Sequence, residues 1–290
     1  KKNFDWGADV RFVFAGAHKG DFSLNGRINF NFFPFIDRSS PLHLGAVFDM
    51  SIKDPTYYQR HFSSKKLSWD NDFSKASSTS IKGLLDIPQW KLNIDVGYSL
   101  LNNNIYYDAE GKAAQNTTAM SVLSASLRKE FVVGGFLHLD NKVLFQTSSN
   151  QEVVPVPTAA LNLKYYAQIV AQRDATKTKT ILELQFGVNA FFNTLWNSPA
   201  WNPVTGTFFN QLERKYNNGP VFDVFINAQW KRACIFIKAE NIGDGWPMKK
   251  RDYFSTDCYI LPQRLLPSLK LGIFWPFYIQ PERHKHAEID

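Results

Sequence analysis

Long apolar runs are absent from this chain of 290 residues, whose mean hydropathy is −0.29. A membrane-spanning α-helix needs about 20 consecutive apolar residues, and no segment of the sequence approaches that length. The class of helical membrane proteins is therefore excluded. A membrane β-barrel is not excluded, because its strands alternate apolar with polar residues and averaging over a window hides that pattern.

Cysteine is scarce, and the sequence motifs of catalysis are missing. Cys234 and Cys258 are the only two cysteines; they are too few for a disulfide scaffold and form no CxxC pair. There is no GxSxG, HExxH, phosphate-binding loop or dinucleotide fingerprint. His43, Asp49 and His138 fall on polar strand faces and could belong to a hydrolase site assembled from several strands, but such triples arise by chance. We therefore predict no enzymatic activity, no cofactor and no metal site.

Clusters of positive charge are also few, although 33 Lys and Arg against 26 Asp and Glu give a net charge of +7. The basic residues are scattered singly, apart from Lys249-Lys250-Arg251 and the pairs Lys1-Lys2 and Lys65-Lys66. Nucleic acids select a basic helix or stripe, and the sequence contains neither. Nucleic acid is therefore not an expected partner.

Aromatic residues, in contrast, are abundant, at 15% of the chain, with 25 Phe, 11 Tyr and 8 Trp. Many stand near the ends of segments in which apolar and polar residues alternate. Outer-membrane barrels carry girdles of rings at these positions, at the two membrane interfaces. The end positions are Trp6, Phe32, Phe33, Phe35, Trp90, Tyr106, Tyr107, Trp230, Trp275 and Tyr278.

Alternation with a period of two residues is the dominant pattern. Between Phe22 and Phe32 every even position is apolar or glycine and every odd position is polar. The same division recurs over 91–100 and 182–190. Because successive side chains of a strand point to opposite faces, each such strand has one apolar face and one polar, often charged, face.

Thirteen segments follow this pattern, and several match the roughly 9–11 residues that a tilted strand needs to cross a bilayer. We predict an all-β fold, an antiparallel transmembrane β-barrel with about 13–14 strands over residues 1–279, followed by a polar tail at 280–290. Bacterial barrels close with an even number of strands. Either one segment is miscounted, with 54–65 the suspect, or strands precede Lys1 and the chain is the C-terminal part of a larger barrel. The segments are 4–15, 20–33, 42–53, 66–73, 78–87, 90–100, 119–132, 135–147, 159–171, 179–193, 221–230, 232–243 and 267–278.

The connections between these segments alternate in length. Outer-membrane barrels have short turns on the periplasmic side and long loops outside, whereas a soluble β-sandwich has no reason to separate them. The sandwich is the alternative fold, but it would carry Gly/Pro turns every 8–12 residues, which are missing. The short links lie near 231, 172–178, 133–134, 88–89 and 16–19, and the long links at 244–266, 194–220, 148–158, 101–118 and 34–41, with 54–65 as the exception.

The polar strand faces predict which charged residues line the barrel. Placing Arg or Lys against lipid at mid-depth costs about 2–4 kcal/mol, so these side chains are expected to face a polar lumen. Both signs occur in near-equal number, so no preference for anions or cations follows. The expected pore-lining residues are Arg11, Arg27, Asp49, Lys82, Asp95, Arg128, Glu130, Asp140, Lys142, Lys164, Glu183, Asp223, Lys238 and Glu240, with Asp21, Asp86 and Lys270 on the same faces.

Two long connections, 194–220 and 244–266, are rich in rings. We expect these rings to pack on each other and to fold inward as a constriction, because long loops need a small core of their own. The alternative is a cluster of exposed rings that stacks on sugars. The expected constriction residues are Trp196, Trp201, Phe208, Tyr216 and Trp246.

Several short motifs occur in a fixed order along the chain. They are Trp69-Asp70-Asn71-Asp72-Phe73, Gly97-Tyr98-Ser99-Leu100-Leu101-Asn102-Asn103, Asp140-Asn141-Lys142-Val143, Val154-Pro155-Val156-Pro157, the stretch from Ala200 to Asn210, Val221-Phe222-Asp223-Val224-Phe225, Phe236-Ile237-Lys238-Ala239-Glu240-Asn241, and Leu269-Lys270-Leu271-Gly272-Ile273. Over residues 20–279 the chain resembles the C-terminal half of the "putative porin" family of Bacteroidota outer membranes.

This resemblance implies a barrel in the bacterial outer membrane, in contact with its lipid, and strands that precede Lys1, since members of the family are longer single-chain barrels. Our leading hypothesis is a porin-like passive channel for small hydrophilic solutes. The alternative is a non-conducting barrel that acts as a structural or interaction subunit of a larger assembly, with other outer-membrane proteins or lipoproteins as partners. Lumenal charges of mixed sign fit both hypotheses.

Overall fold

Nearly all regular structure in the protein is β-strand, as the alternation predicts. Among the residues that the structure describes, the exceptions are one helical turn, α1 (Tyr57–Arg60), and a 3₁₀ turn at Pro88–Trp90. In the part of the chain that the structure describes, no helix is long and apolar enough to cross a membrane. The computed structural model describes residues 3–34, 41–176, 179–216, 220–243 and 267–275.

Twelve strands form one large sheet. Strands that follow each other in the sheet along the chain pair antiparallel, so the sheet is a continuous meander, and the predicted all-β antiparallel fold is confirmed. The strands are β1 (Phe4–Phe12), β2 (Phe22–Phe32), β3 (Leu42–Lys53), β6 (Ala76–Ile87), β7 (Leu92–Asn102), β10 (Met120–Val133), β11 (Leu137–Ser148), β12 (Ala159–Arg173), β13 (Thr180–Asn193), β16 (Val221–Trp230), β17 (Ala233–Ile242) and β18 (Ser268–Phe274).

Six short strands form three hairpins that lie outside the large sheet. Each hairpin lies within one long connection between two sheet strands. The hairpins are β4 (His61–Ser63) with β5 (Ser68–Asp70), β8 (Asn104–Tyr107) with β9 (Ala113–Asn116), and β14 (Ala200–Asn202) with β15 (Thr207–Phe209).

The number of strands in the large sheet differs from the thirteen segments read from the sequence. The 66–73 segment contains only the three residues of β5, which pair with β4 rather than with a strand of the sheet. Trp69 of β5 stacks on Phe62 of β4 with ring centroids 4.6 Å apart. The apolar residues of this segment therefore serve a local ring pair, and residues 54–75 are one long connection.

Because residues 54–75 are one connection, the links near 16–19 and 34–41 lie at the opposite edges of the sheet from those expected. The Lys75 ammonium, at the end of the 54–75 connection, donates to the carboxylate of Asp21 at 2.9 Å, at the end of the β1–β2 link. The prediction that the 16–19 link lies with the short turns is therefore wrong. It lies at the edge of the sheet that carries the long connections, which we call the loop edge, and the opposite edge is the turn edge.

The register divides the large sheet into an apolar and a polar face. Between β1 and β2, Trp6 is opposite Ile28 on one face, and Arg11 is opposite Ser23 on the other. The apolar face is exposed, since Ile81, Phe145 and Phe186 show 56%, 57% and 48% of their surface. A soluble sheet would cover such a face, because the largest apolar patch of a typical soluble monomer is about 300–600 Å².

Exposed rings line the turn edge, where the sequence predicted one of two girdles. They occupy the strand ends and turns of that edge and show between 39% and 59% of their surface. Rings placed in this way match the interfacial girdle of a membrane barrel. They are Phe4, Phe30, Phe32, Trp90, Phe131, Phe136, Trp230 and Trp275.

One lysine on the apolar face occupies a position that suits an interface. Lys129 is four residues from the end of β10, opposite Leu92. Its ammonium donates to the backbone carbonyl of Trp90 and lies 5.3 Å from the Phe131 ring centroid. Long cationic side chains reach an interface in this way while their stems remain in an apolar region.

The division into two faces predicts opposite outcomes for neighbouring residues of β13. Phe186→Arg would place a charge on the apolar face near mid-strand and should destabilise the folded protein in bilayers by about 2–4 kcal/mol. Gln185→Arg, on the polar face, should change stability little. Urea unfolding in lipid vesicles measures both. Equal effects of the two substitutions would contradict the assignment of the faces.

Candidate functional site

The polar face of the large sheet carries the predicted pore-lining residues. The register places all fourteen of them, together with Asp86 and Lys270, on this one face. Arg128 is opposite Lys142 between β10 and β11, for example, and Asn189 is opposite Asp223 between β13 and β16. That this face lines a pore stays a prediction.

Ion pairs link neighbouring strands on the β10–β18 half of this face. Arg128 binds both oxygens of Asp140, with its Nη2 2.6 Å from Oδ2 and its Nε 2.9 Å from Oδ1. The Lys238 ammonium lies 2.8 Å from Asp223 and 2.9 Å from Glu240, and Glu240 also receives Lys270 at 2.7 Å. The polar face is therefore ordered by charge pairing in this half.

A cavity of about 550 Å³ lies between these ion pairs. It extends from mid-strand, at Lys142, to the ends of β16 and β18 at the loop edge. Its lining consists mostly of charged and amide side chains: Arg128, Asp140, Lys142, Asn162, Lys164, Asn189, Ala190, Phe191, Val221, Asp223, Lys238, Glu240 and Lys270. The cavity is of a size that admits a small hydrophilic molecule.

The histidines considered for a hydrolase site lie apart. His43 and Asp49 are on the same face of β3 but six residues apart, which is about 20 Å along a strand. His43 contacts the side-chain oxygen of Asn31 at 2.5 Å, and Asp49 is bonded to Asn25. His138 pairs with Glu130 instead and stacks on Tyr166, with ring centroids 4.7 Å apart. The structure does not bring the three residues together.

A comparison with protein families agrees with this division of the sheet into an apolar and a polar face. The model of the family described as "putative porin" matches residues 1–279. The chain belongs to this family. A search of curated proteins and a search of solved structures found no match. The family resemblance that the motifs indicated is thereby confirmed, and the chain is a porin-like β-protein.

The long connections of this porin-like chain form a layer at the loop edge. Asn210, in the 194–220 connection, donates its backbone N–H to the Tyr107 carbonyl and its side-chain amide to the carbonyls of Glu152 and Val153, all at 2.8 Å. Gln115, in the 103–119 connection, accepts the Ser74 N–H at 3.0 Å and donates its side-chain amide to the Ser74 carbonyl at 2.8 Å, which joins this connection to 54–75. Four connections, 54–75, 103–119, 149–158 and 194–220, are thus linked in one hydrogen-bonded network.

The rings expected to form a constriction lie in this layer. Trp201 of β14 packs edge-on against Phe208 of β15, with centroids 4.9 Å apart. Trp196 and Tyr216 are joined by backbone hydrogen bonds of 3.1 and 2.8 Å, which close the base of the connection. Trp246 lies outside the described residues. The rings of 194–220 therefore pack within their own connection, and a role in narrowing a pore stays a prediction.

Sequence reasoning missed a second ring cluster, in the 54–75 connection. Besides the Phe62–Trp69 stack, the ring centroids of Trp69 and Tyr107 of the neighbouring connection are 6.1 Å apart. The Trp69 indole N–H donates to the Tyr58 carbonyl at 3.1 Å. Tyr57 and Tyr58 are about 70% exposed. The density of rings in this segment was the available signal, but the alternation led us to assign 66–73 to the sheet.

A half-buried lysine joins two connections next to this cluster. The Lys75 ammonium donates to Asp21 at 2.9 Å and to Asp54 at 2.6 Å. Hydrogen bonds to Asp54 and Asp21 raise the pKa of Lys75. Burial alone would raise the pKa of Asp21, but its hydrogen bonds with Lys75 and the Asp54 amide lower it below the usual value.

His18, Asp21 and Asp54 are close enough together to hold a metal ion. However, the Lys75 ammonium already bridges the two carboxylates and neutralises part of their charge. We therefore interpret the group as an ion-pair cluster that fastens the β1–β2 link to the 54–75 connection. It provides no ground for a metal site.

Removal of this ammonium should loosen the 54–75 connection. In Lys75→Met the two carboxylates repel each other at neutral pH, so proteases should cut within 54–75 faster, while Lys66→Met, in the same connection, should be cut like the wild type. Because the pKa of Asp21 is lowered in the folded state, its contribution is complete above the ordinary Asp pKa and is lost as pH falls through the lowered value. Equal cutting of the three proteins at pH 7 would contradict this role of Lys75.

Proposed function

We propose that the large sheet curves into an outer-membrane β-barrel and acts as a passive channel for small hydrophilic solutes. The observation that carries the proposal is the register, which puts the charged side chains on one face and large exposed apolar side chains on the other. In a bilayer, only a closed sheet with its apolar face outward avoids both unpaired backbone groups and charges in lipid.

Three features support the location in the membrane. The strands of the large sheet are 7 to 15 residues long, which covers the roughly 9–11 residues needed for a tilted crossing. The turn edge carries a girdle of exposed rings. Membership of a family described as putative porins fits the same location. Contact with outer-membrane lipid follows from the proposal.

The closure of the barrel requires partners for its two edge strands. Among the described residues, β1 pairs only with β2, and β18 pairs only with β17. Exposed strand edges are avoided in water and in lipid alike. In the proposed barrel these edges pair either with each other or with strands of the same barrel outside this chain.

A second function is favoured by the ion pairs of the polar face. Arg128–Asp140, Lys238–Asp223 and Lys270–Glu240 cross-link adjacent strands, and an interior fully linked in this way would block solutes. The protein would then be a non-conducting barrel that serves as a structural subunit and binds other outer-membrane proteins or lipoproteins. The cavity of about 550 Å³ between the pairs favours the channel.

Conductance in planar bilayers separates the two functions. Purified protein should produce stepwise increases in current in potassium chloride if the polar face lines an open channel. A folded protein that inserts without conducting would contradict the channel and favour the structural subunit. Insertion is checked independently by the slower mobility of heat-denatured barrel in gel electrophoresis.

Shortening the 194–220 connection should raise the single-channel conductance. Because Trp196 and Tyr216 form a hydrogen-bonded pair, residues 197–215 can be replaced by Asn-Gly, which favours a two-residue hairpin turn. A second variant, Trp201→Ala with Phe208→Ala, keeps the length and removes only the ring pair. Unchanged conductance in both would contradict a constriction formed by this connection.

A further inference from the structure

We propose that the polar cavity of the β10–β18 half is a binding site for small oxyanions, carboxylate or phosphate, held by Lys142 and Lys164. The inference rests on the proposed function, since it names the solutes that the channel would favour. It goes beyond the sequence, in which charges of both signs are balanced and no preference follows.

The three carboxylates that line the cavity are all engaged by cations. Asp140 receives both N–H groups that Arg128 directs at it. Asp223 receives Lys238 at 2.8 Å and the backbone N–H of Asn241 at 3.0 Å. Glu240 is bound by Lys238 and Lys270. Against these three acids the lining holds five cationic side chains, so two positive charges are left over.

Lys142 is the first cation without a carboxylate partner. The register places it opposite Arg128 on one side and opposite Asn162 on the other. Like charges directly opposite each other destabilise a sheet. Another pair of opposed cations on this face, Lys238 and Lys270, is bridged by Glu240, whereas within the described ranges no acid lies within 4 Å of the Lys142 ammonium. Among the described residues Lys142 therefore has no ion-pair partner, whereas Arg128 opposite it is paired with Asp140.

Lys164 is the second cation of the cavity without a carboxylate partner. It is opposite Asp140 in the register, but that carboxylate binds Arg128 instead. The Lys164 ammonium lies 5.0 and 5.3 Å from the ring centroids of Tyr166 and Phe225, a cation–π arrangement with neutral rings rather than an ion pair. Lys142 and Lys164 are diagonal neighbours on β11 and β12, whose backbones are about 7–8 Å apart at such positions.

Two amide side chains complete the group of donors. Asn162 is opposite Lys142, and Asn189 is opposite Lys164. Both line the cavity, and in the described part of the chain neither side chain has a hydrogen-bond partner. Two ammonium groups and two amide side chains therefore face one cavity without a hydrogen-bond partner among the described residues. A small oxyanion supplies the negative charge and the several acceptor oxygens that this set lacks.

The excess of positive charge is local to this cavity. On the β1–β7 half of the same face, the acids Asp86 and Asp95 are bonded to the neutral side chains of Asn93 and Ser126, at 2.7 and 3.0 Å. Asp49 is bonded to Asn25 in the same way. Among the described residues no cation pairs with these carboxylates, so general basicity of the face does not explain the cavity. An anion would be held at one position rather than along the whole wall.

Calorimetric titration of the folded protein in detergent, at low ionic strength, tests the site with inorganic phosphate and with succinate as probes. The wild type should bind at least one of them saturably. Lys142→Gln with Lys164→Gln should weaken that binding about tenfold or more, because it removes charge-assisted hydrogen bonds. Lys82→Gln, on the same face but outside the cavity, should bind like the wild type.

The possible outcomes distinguish failure of the proposed binding site from failure of the proposed channel. Binding of phosphate alone assigns the site to tetrahedral oxyanions, and binding of succinate alone assigns it to carboxylates. No saturable binding by the wild type, or equal binding by the double variant, would overturn the site even if the protein conducts. Binding without conductance would support the binding site and contradict the channel. Lys142→Arg with Lys164→Arg, which keeps both charges, should preserve binding and so excludes a loss caused by misfolding.

Discussion

The constraint on which the rest of the structure depends is the opposite orientation of successive side chains in a strand. In a sheet whose two faces meet different surroundings, a change of register by one residue would exchange the faces. The strands avoid this by strict alternation, as in Phe22–Phe32, and the antiparallel register keeps like faces together from strand to strand. Every charged residue of the polar face is positioned by this one rule.

Positions on the polar face acquire their chemistry from cross-strand neighbours. Asp140 could bind Arg128 or Lys164, because the register puts it diagonal to the first and opposite the second. The guanidinium takes it with two parallel hydrogen bonds, which is the stronger arrangement. That choice leaves Lys164, rather than Arg128, without a carboxylate partner, so both cations that remain unpaired in the cavity are ammonium groups.

The sequence was sufficient for the fold class, the family and the two faces of the strands, because alternation is a local property. Partner choice was not predictable: whether Asp140 binds Arg128 or Lys164 depends on register and rotamer. The assignment of the 66–73 segment to the large sheet was wrong because rings such as Trp69 give the same apolar–polar alternation in a small hairpin as in a sheet strand. The Lys75 cluster joins residues 54 positions apart, which no local pattern indicates.

The most direct test of the central claim is an accessibility scan of β10. Single nitroxide labels at positions 122–128, in a background without Cys234 and Cys258, would be compared for relaxation by oxygen, which concentrates in lipid, and by a water-soluble nickel chelate. We predict alternation: labels at Leu123, Ala125 and Leu127 respond to oxygen, and labels at the even positions respond to nickel. Labels that respond alike at odd and even positions would contradict a sheet with one face toward lipid and one toward water.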